Sequence, residues 1–469
     1  MQLNLNELAR RDDPSYYVLA GAITLVSLLE RFVNETGSKF LDLASCQQFF
    51  SLKCNKFLHS YGLNLGPKTK LDSNFNKKVL GSLKLLKDNL MFKKTELFLD
   101  SGGFQVSIGK VSKSQALQMI DSYHNFLSDF HQSFDFAFSL DLVPGPNCVA
   151  FSTFKDVLET NLQSYKLASQ LDPDSRKKVV YIHHFRTPRL LSIFREILFE
   201  FDMFSKFDNF ATGGIVANLA SDTAVNVVLY IIPLIDLLHI TKQSGRRDLN
   251  FHILGGATYR DIFFYELVKL HVKRVHDINL KITFDSSSIF KGLMVARHIH
   301  VLEDDRVLTM SLKERELGQR WVNGKSIRER LQEIMDHFME RNDFNHVDFT
   351  NPYDPETGTF RKECSMYLML YVLDFFFEIQ KYLREKAEEI YKKFEEDDLP
   401  TFNSEVEKVI RSLNRGKATR KQRSKSYSIW RSLQALTDLD IDYANHLVHK
   451  FLSKDEFTNL LGNQELLTF

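Results

Sequence analysis

Three aspartates, Asp100, Asp141 and Asp285, each close a short apolar run: "ELFLD", "SFDFAFSLD" and "LKITFD". A carboxylate at the end of a strand is held rigidly by the sheet while facing whatever lies beyond it. Such a group can serve as a nucleophile, as a proton donor or acceptor, or as a hydrogen-bond acceptor for a ligand. After Asp100 come Ser101, Gly102, Gly103 and Phe104. Two residues without Cβ let main chain approach a flat ligand closely, and an aromatic ring adds a stacking face. The same string also reads as a tight turn with an Asx-type hydrogen bond. "TGGIV" (Thr212–Val216) repeats the paired glycines, with a helix cap as its plainer reading, and Asp285 in "FDSSS" can equally be an N-cap.

The elements that must position these residues alternate between about 95 and 300. Candidate strands are 96–100, 133–141, 178–185, 208–214, 250–256 and 280–285. Between them lie amphipathic stretches such as "RLLSIFREILFEF", with apolar residues every three or four positions. This βαβα order predicts a parallel sheet. At least five strands end on Asp, His or Gly-Gly, as if several strand ends converged on one mouth. That favours a (β/α)8 TIM barrel over an open doubly wound sheet with one switch point.

Beyond about residue 325 the pattern becomes helical, which predicts two domains, a barrel over 1–325 and a helical accessory domain over 326–469. Within the latter, Arg411–Ser426 carries seven Lys or Arg and no acid. It is a candidate nucleic-acid contact or a solvated loop.

Overall charge predicts no global field, with 61 Lys+Arg against 60 Asp+Glu, so a polyanion must meet a local patch. Cys46, Cys54, Cys148 and Cys364 are too far apart for a disulfide framework or a CxxC knuckle, so no structural metal is expected. The apolar stretch Tyr16–Leu29 is shorter than the roughly 20 residues a bilayer needs. It also follows a charged segment, so a cytoplasmic protein without a signal peptide is expected.

"LFLDSGGFQVS" resembles the signature of the tRNA-guanine transglycosylase superfamily, and "FSLD", "TGGIV", "HILGGAT" and "ITFDSSS" follow in that family's order over roughly residues 95–290. The resemblance implies exchange of a purine base on an intact nucleic-acid strand, without ATP or a redox cofactor. It implies that Asp285 attacks C1′ of the target nucleotide and that Asp100 is the general acid/base in the Ser101–Gly102–Gly103 turn. Asp141 would accept from the base's N1–H and exocyclic amine. Amides near Gly213, Gly214 and Ile215 would meet O6 and the substituent at position 7, while Phe104 and Leu254 enclose the ring. Where the family carries a glutamine, "YIHHF" offers His183 or His184, for which a buried structural histidine is the alternative.

The zinc module of the tRNA-acting enzymes is absent, since no Cys lies between Cys148 and Cys364. In this the chain is more similar to the phage and bacterial branch that places 7-cyano-7-deazaguanine or a relative in DNA. The implied partners are DNA, or alternatively tRNA, and a 7-deazaguanine base. Arg415, Lys417, Arg420, Lys421, Arg423 and Lys425 would grip phosphates in place of the zinc module. Two further readings are a catalytically silent nucleic-acid-binding relative and an unrelated barrel hydrolase using Asp100 and Asp141 as a carboxylate pair.

Overall fold

The computed structural model describes residues 16–66, 68–89, 95–107, 109–142, 153–184, 188–213, 223–256, 258–286, 289–413 and 420–444. Eight parallel strands close into a barrel in sequential order. They are β1 (Tyr16–Ala20), β2 (Lys56–Ser60), β3 (Glu96–Asp100), β4 (Phe136–Phe138), β5 (Val179–Ile182), β6 (Asn209–Thr212), β7 (Asp248–Ile253) and β8 (Asn279–Ser286). Closure is made by β1 on β8, with Val18 opposite Asp285. Six strands match the sequence-predicted runs. The first two come from the segment before residue 95, and β1 occupies the start of the apolar stretch Tyr16–Leu29.

The helices alternate with the strands and cover the barrel: α1 (Ala22–Thr36), α2 (Leu43–Lys53), α3 (Ser73–Lys87), α4 (Lys113–Phe130), α5 (Phe154–Gln170), α6 (Pro188–Glu200), α7 (Thr223–Gln243) and α8 (Tyr259–His276). Side chains set their starts: Asp72 accepts from the Asn74 and Phe75 amides, and Ser112 and Thr258 form capping boxes with Gln115 and Asp261. The barrel interior is filled by Val18, Leu58, Phe98, Phe138, Val180, Ile182 and Ala211, with Phe136 and Leu254 against them.

Past β8 the chain makes a hairpin, β9 (His298–Glu303) and β10 (Arg306–Ser311), then α9 (Ile327–Arg341), α10 (Lys362–Glu395), α11 (Leu399–Ser412) and α12 (Arg420–Asp438). The hairpin turn, Asp304–Asp305, has positive φ at both residues, 47° and 59°, as a two-residue turn between twisted strands requires. α10 packs against α8 on one side and α1 on the other. Its Phe376 ring lies 4.7 Å from Tyr17 of β1 and 6.4 Å from Phe284 of β8. It therefore fills the place of the barrel's eighth helix. The expected boundary at 325/326 cuts through the barrel, because the segment from the hairpin through α9 is an insertion between β8 and its covering helix. One apolar core runs from Tyr17 through α10 to Trp430 on α12. Among the described residues, no helix is long and apolar enough to cross a membrane.

Candidate active site

Parallel strands deliver all their C-terminal ends to one face. On β8, Phe284 points outward to Tyr265 and Phe376, so Asp285 points inward at the mouth. Its Oδ1 accepts from the Gly255 amide at 2.9 Å and lies 3.3 Å from His252 Nε2. His252 Nδ1 is 2.8 Å from Thr283 Oγ1. With Nε2–H donating to Asp285, Nδ1 is the acceptor and the Thr283 hydroxyl the donor. The imidazole is fixed by Phe138 and Phe98, with ring centroids at 4.7 and 5.9 Å. Sequence reading missed His252. Its signal lay in the parity of "HIL" and "TFD", which turns His252, Leu254, Thr283 and Asp285 to the same side of neighbouring strands, with His252 opposite Thr283.

Asp100 ends β3 beside β2, opposite Ser60. Burial pushes its carboxyl up from 3.8 to about 6; the Ser60 hydroxyl and the Gly102 amide oppose this, while the charges of Asp141 and Asp285 add to it. The glycines that follow have a different role from the one expected. Gly102 has φ +86°, and a Cβ there would stand 2.4 Å from Gly62 Cα. A Cβ on Gly103 would stand 2.2 Å from the Asp141 carbonyl oxygen. The space a side chain would fill is taken by main chain of the neighbouring strand-end loops, not kept open for a planar ligand. Ser101 is buried and its hydroxyl accepts from the Gly103 amide at 3.3 Å, which holds the turn.

Asp141 lies three residues past β4 and is pinned from the helix behind it. Asn161 of α5 bonds both the amide and the carbonyl of Leu142, each at 2.9 Å, and Ser164 donates to the Leu140 carbonyl at 2.6 Å. One Asp141 oxygen, Oδ2, pairs with His184 Nε2. His184 in turn packs on Gly213, where a Cβ would meet both His184 Cε1 and Leu254 Cδ1 at 2.9 Å. His184 Nδ1 is buried with no hydrogen-bond partner among the described residues. His183 does not belong to this group. Strand alternation turns it outward, where its Nε2 lies 3.0 Å from Asp236 of α7, itself 3.2 Å from Arg195 of α6. Of the two histidines, His184 therefore joins Asp141 at the mouth, and His183 packs against the outer helices.

Asp100, Asp141, Asp285, Ser101, Gly102, Gly103, His184, Gly213 and Leu254 all gather at the mouth. The three carboxylates are close enough for Asp100 to feel both others. Three such charges around one opening disfavour full ionisation, and Asp100 is the one whose carboxyl is pushed up to about 6. Gly214, Ile215, Arg415 and Lys417 lie outside the described residues, as does the Phe104 side chain. Arg420, Lys421, Arg423 and Lys425 form the first turns of α12, so that half of the basic tract is helix; their side chains are not among those described. Among the described residues, no group of three or more His, Cys, Asp or Glu is placed to hold a metal ion. No protein-family model and no curated protein matches this chain.

Proposed function

We propose that the protein is a DNA-guanine transglycosylase, which exchanges guanine in DNA for 7-cyano-7-deazaguanine or a related 7-deazaguanine base. The observation that carries this reading is the set of three carboxylates at one barrel mouth, each in a different environment. Asp285 is held by the Gly255 amide and His252, burial pushes the Asp100 carboxyl up to about 6, and Asp141 is clamped to His184.

In the first half-reaction an Asp285 oxygen bonds C1′ as the C1′–N9 bond breaks, and Asp100 gives its proton to the departing guanine. In the second, Asp100 takes the N9 proton of the incoming base, N9 bonds C1′, and the ester to Asp285 breaks. Atoms and charge balance over the two steps. Asp141 offers the lone pairs not used by His184 to the base's N–H donors, and Leu254 covers one face of the ring. To reach C1′ the nucleotide must leave its stack, at a cost of a few kcal/mol.

The test is incubation with radiolabelled guanine and DNA or tRNA. Label should enter DNA; label in tRNA alone would move the substrate class to tRNA, and label in neither would end the reading. Asp285→Ala should lose the covalent protein–nucleic acid adduct on a denaturing gel while guanine still binds. Normal exchange by that variant would remove Asp285 as nucleophile.

A further inference from the structure

A mouth carrying three carboxylates repels a polyanion, so a nucleic acid can bring C1′ to Asp285 only where its phosphates are compensated nearby. The loops that leave β2 and β3 emerge on the mouth face. Residues 61–78 hold four lysines, Lys68, Lys70, Lys77 and Lys78, against one aspartate, Asp72, which caps α3. All four lysines are exposed, as is Lys110 after β3. Among the described residues none of these five has an ion-pair partner, whereas Lys113 lies 3.5 Å from Asp156.

The first loop is built, not loose. Gly62 rests directly on Gly102, tying it to the Asp100 turn. The Gly66 amide donates to Thr69 Oγ1 at 3.0 Å, and Gln115 Nε2 donates to the Gly66 and Thr69 carbonyls at 3.0 and 3.3 Å. That brackets Lys68 against the start of α4, with Lys70 directly after the anchored Thr69. Leu63, 59% exposed, adds an apolar surface on the same loop, the pairing of charge and apolar contact that a sugar and base next to a phosphate would meet.

We propose that Lys68, Lys70 and Lys110 form the phosphate-contacting rim of a DNA site at the barrel mouth. This rests on the nucleic-acid part of the function proposed above, and it places the grip on the mouth loops instead of on α12.

The experiment is binding of a fluorescein-labelled DNA duplex by anisotropy over a series of salt concentrations. Replacing all three (Lys68→Ala, Lys70→Ala, Lys110→Ala) should flatten the slope of log affinity against log salt by about 0.9 for each phosphate left without its lysine. Guanine binding by calorimetry should be unchanged, and the Lys→Arg triple variant should restore the slope. A wild-type slope in the Ala variant overturns the rim, as does flattening confined to Arg420→Ala/Lys421→Ala/Arg423→Ala. If the wild type binds duplex with the predicted rim dependence yet transfers no guanine, the rim stands and transglycosylation fails. If it binds no DNA, the rim falls as well.

Discussion

Replacing Asp100 with asparagine should make the protein more stable as it stops turnover. Burial is the largest cause of the raised Asp100 carboxyl, and the neighbouring Asp141 and Asp285 add to it. In the unfolded chain the same carboxyl titrates at its ordinary value. Between 3.8 and about 6 the folded protein therefore holds a proton that the unfolded chain has lost. Stability then falls as pH rises through that window, by about 1.4 kcal/mol per pH unit, and stays lowered above it. Carried from 3.8 to about 6, the penalty reaches about 3 kcal/mol at pH 8. Asparagine keeps the shape and an acceptor for the Gly102 amide but carries no charge, so Asp100→Asn should gain most of that amount at pH 8 and progressively less toward pH 4. Urea unfolding of both proteins at several pH values measures it. A gain that is the same at pH 5 and pH 8, or a loss at pH 8, would refute the burial of an ionisable carboxyl there. Asp285→Asn should lower the Asp100 value only in part, since repulsion is secondary to burial.

The two adjacent histidines should separate cleanly. His183→Ala leaves buried Asp236 with Arg195 alone and should cost about 1–3 kcal/mol of stability in thermal unfolding, with guanine affinity intact. His184→Ala frees Asp141 and should weaken guanine binding roughly tenfold or more by calorimetry, as expected for a charge-assisted hydrogen bond. Gly102→Ala combines positive φ with a main-chain clash, whereas Gly21→Ala, at φ +79° with nothing within 4 Å of the new Cβ, meets only the first. Gly21→Ala should cost about 1–2 kcal/mol and Gly102→Ala clearly more, with exchange activity lost only in the latter. Asp374 on α10 is fully buried between Lys53 of α2 and Arg341 of α9. Asp374→Ala should destabilise by about 1–3 kcal/mol in denaturant titration, because Lys53 and Arg341 are left with Glu378 as their shared partner.

Much of this was legible from residue order. A parallel sheet follows from strand and helix periods alternating along the chain, and a run that stops at Asp, His or Gly-Gly marks a strand end facing a mouth. Asp100, Asp141 and Asp285 could be picked out because each interrupts an apolar run, and local pattern is what a strand's period encodes. The hairpin at 298–311 escaped because its turn is Asp-Asp, which lacks the glycine that usually betrays positive φ. β1 escaped because its five residues run through a single glycine into the equally apolar α1, and a continuous apolar stretch hides where one period gives way to the other.

Other features depend on residues far apart in the chain, and no local period reports them. That α10 is the barrel's eighth helix appears only from Phe376 meeting Tyr17 and Phe284, across separations that the insertion after β8 disguises. Whether Gly102 and Gly103 leave room for a ligand or for main chain was settled by Gly62 and Asp141, which pack into that space. The face taken by each of His183 and His184, and the contact of His252 with Asp285, came from barrel closure and strand register. Which side chains can do chemistry is a property of residue type and local period, and residue order already shows it. The tertiary structure decided which of them share an environment, because burial, charge coupling and close packing arise only when distant strands are brought side by side.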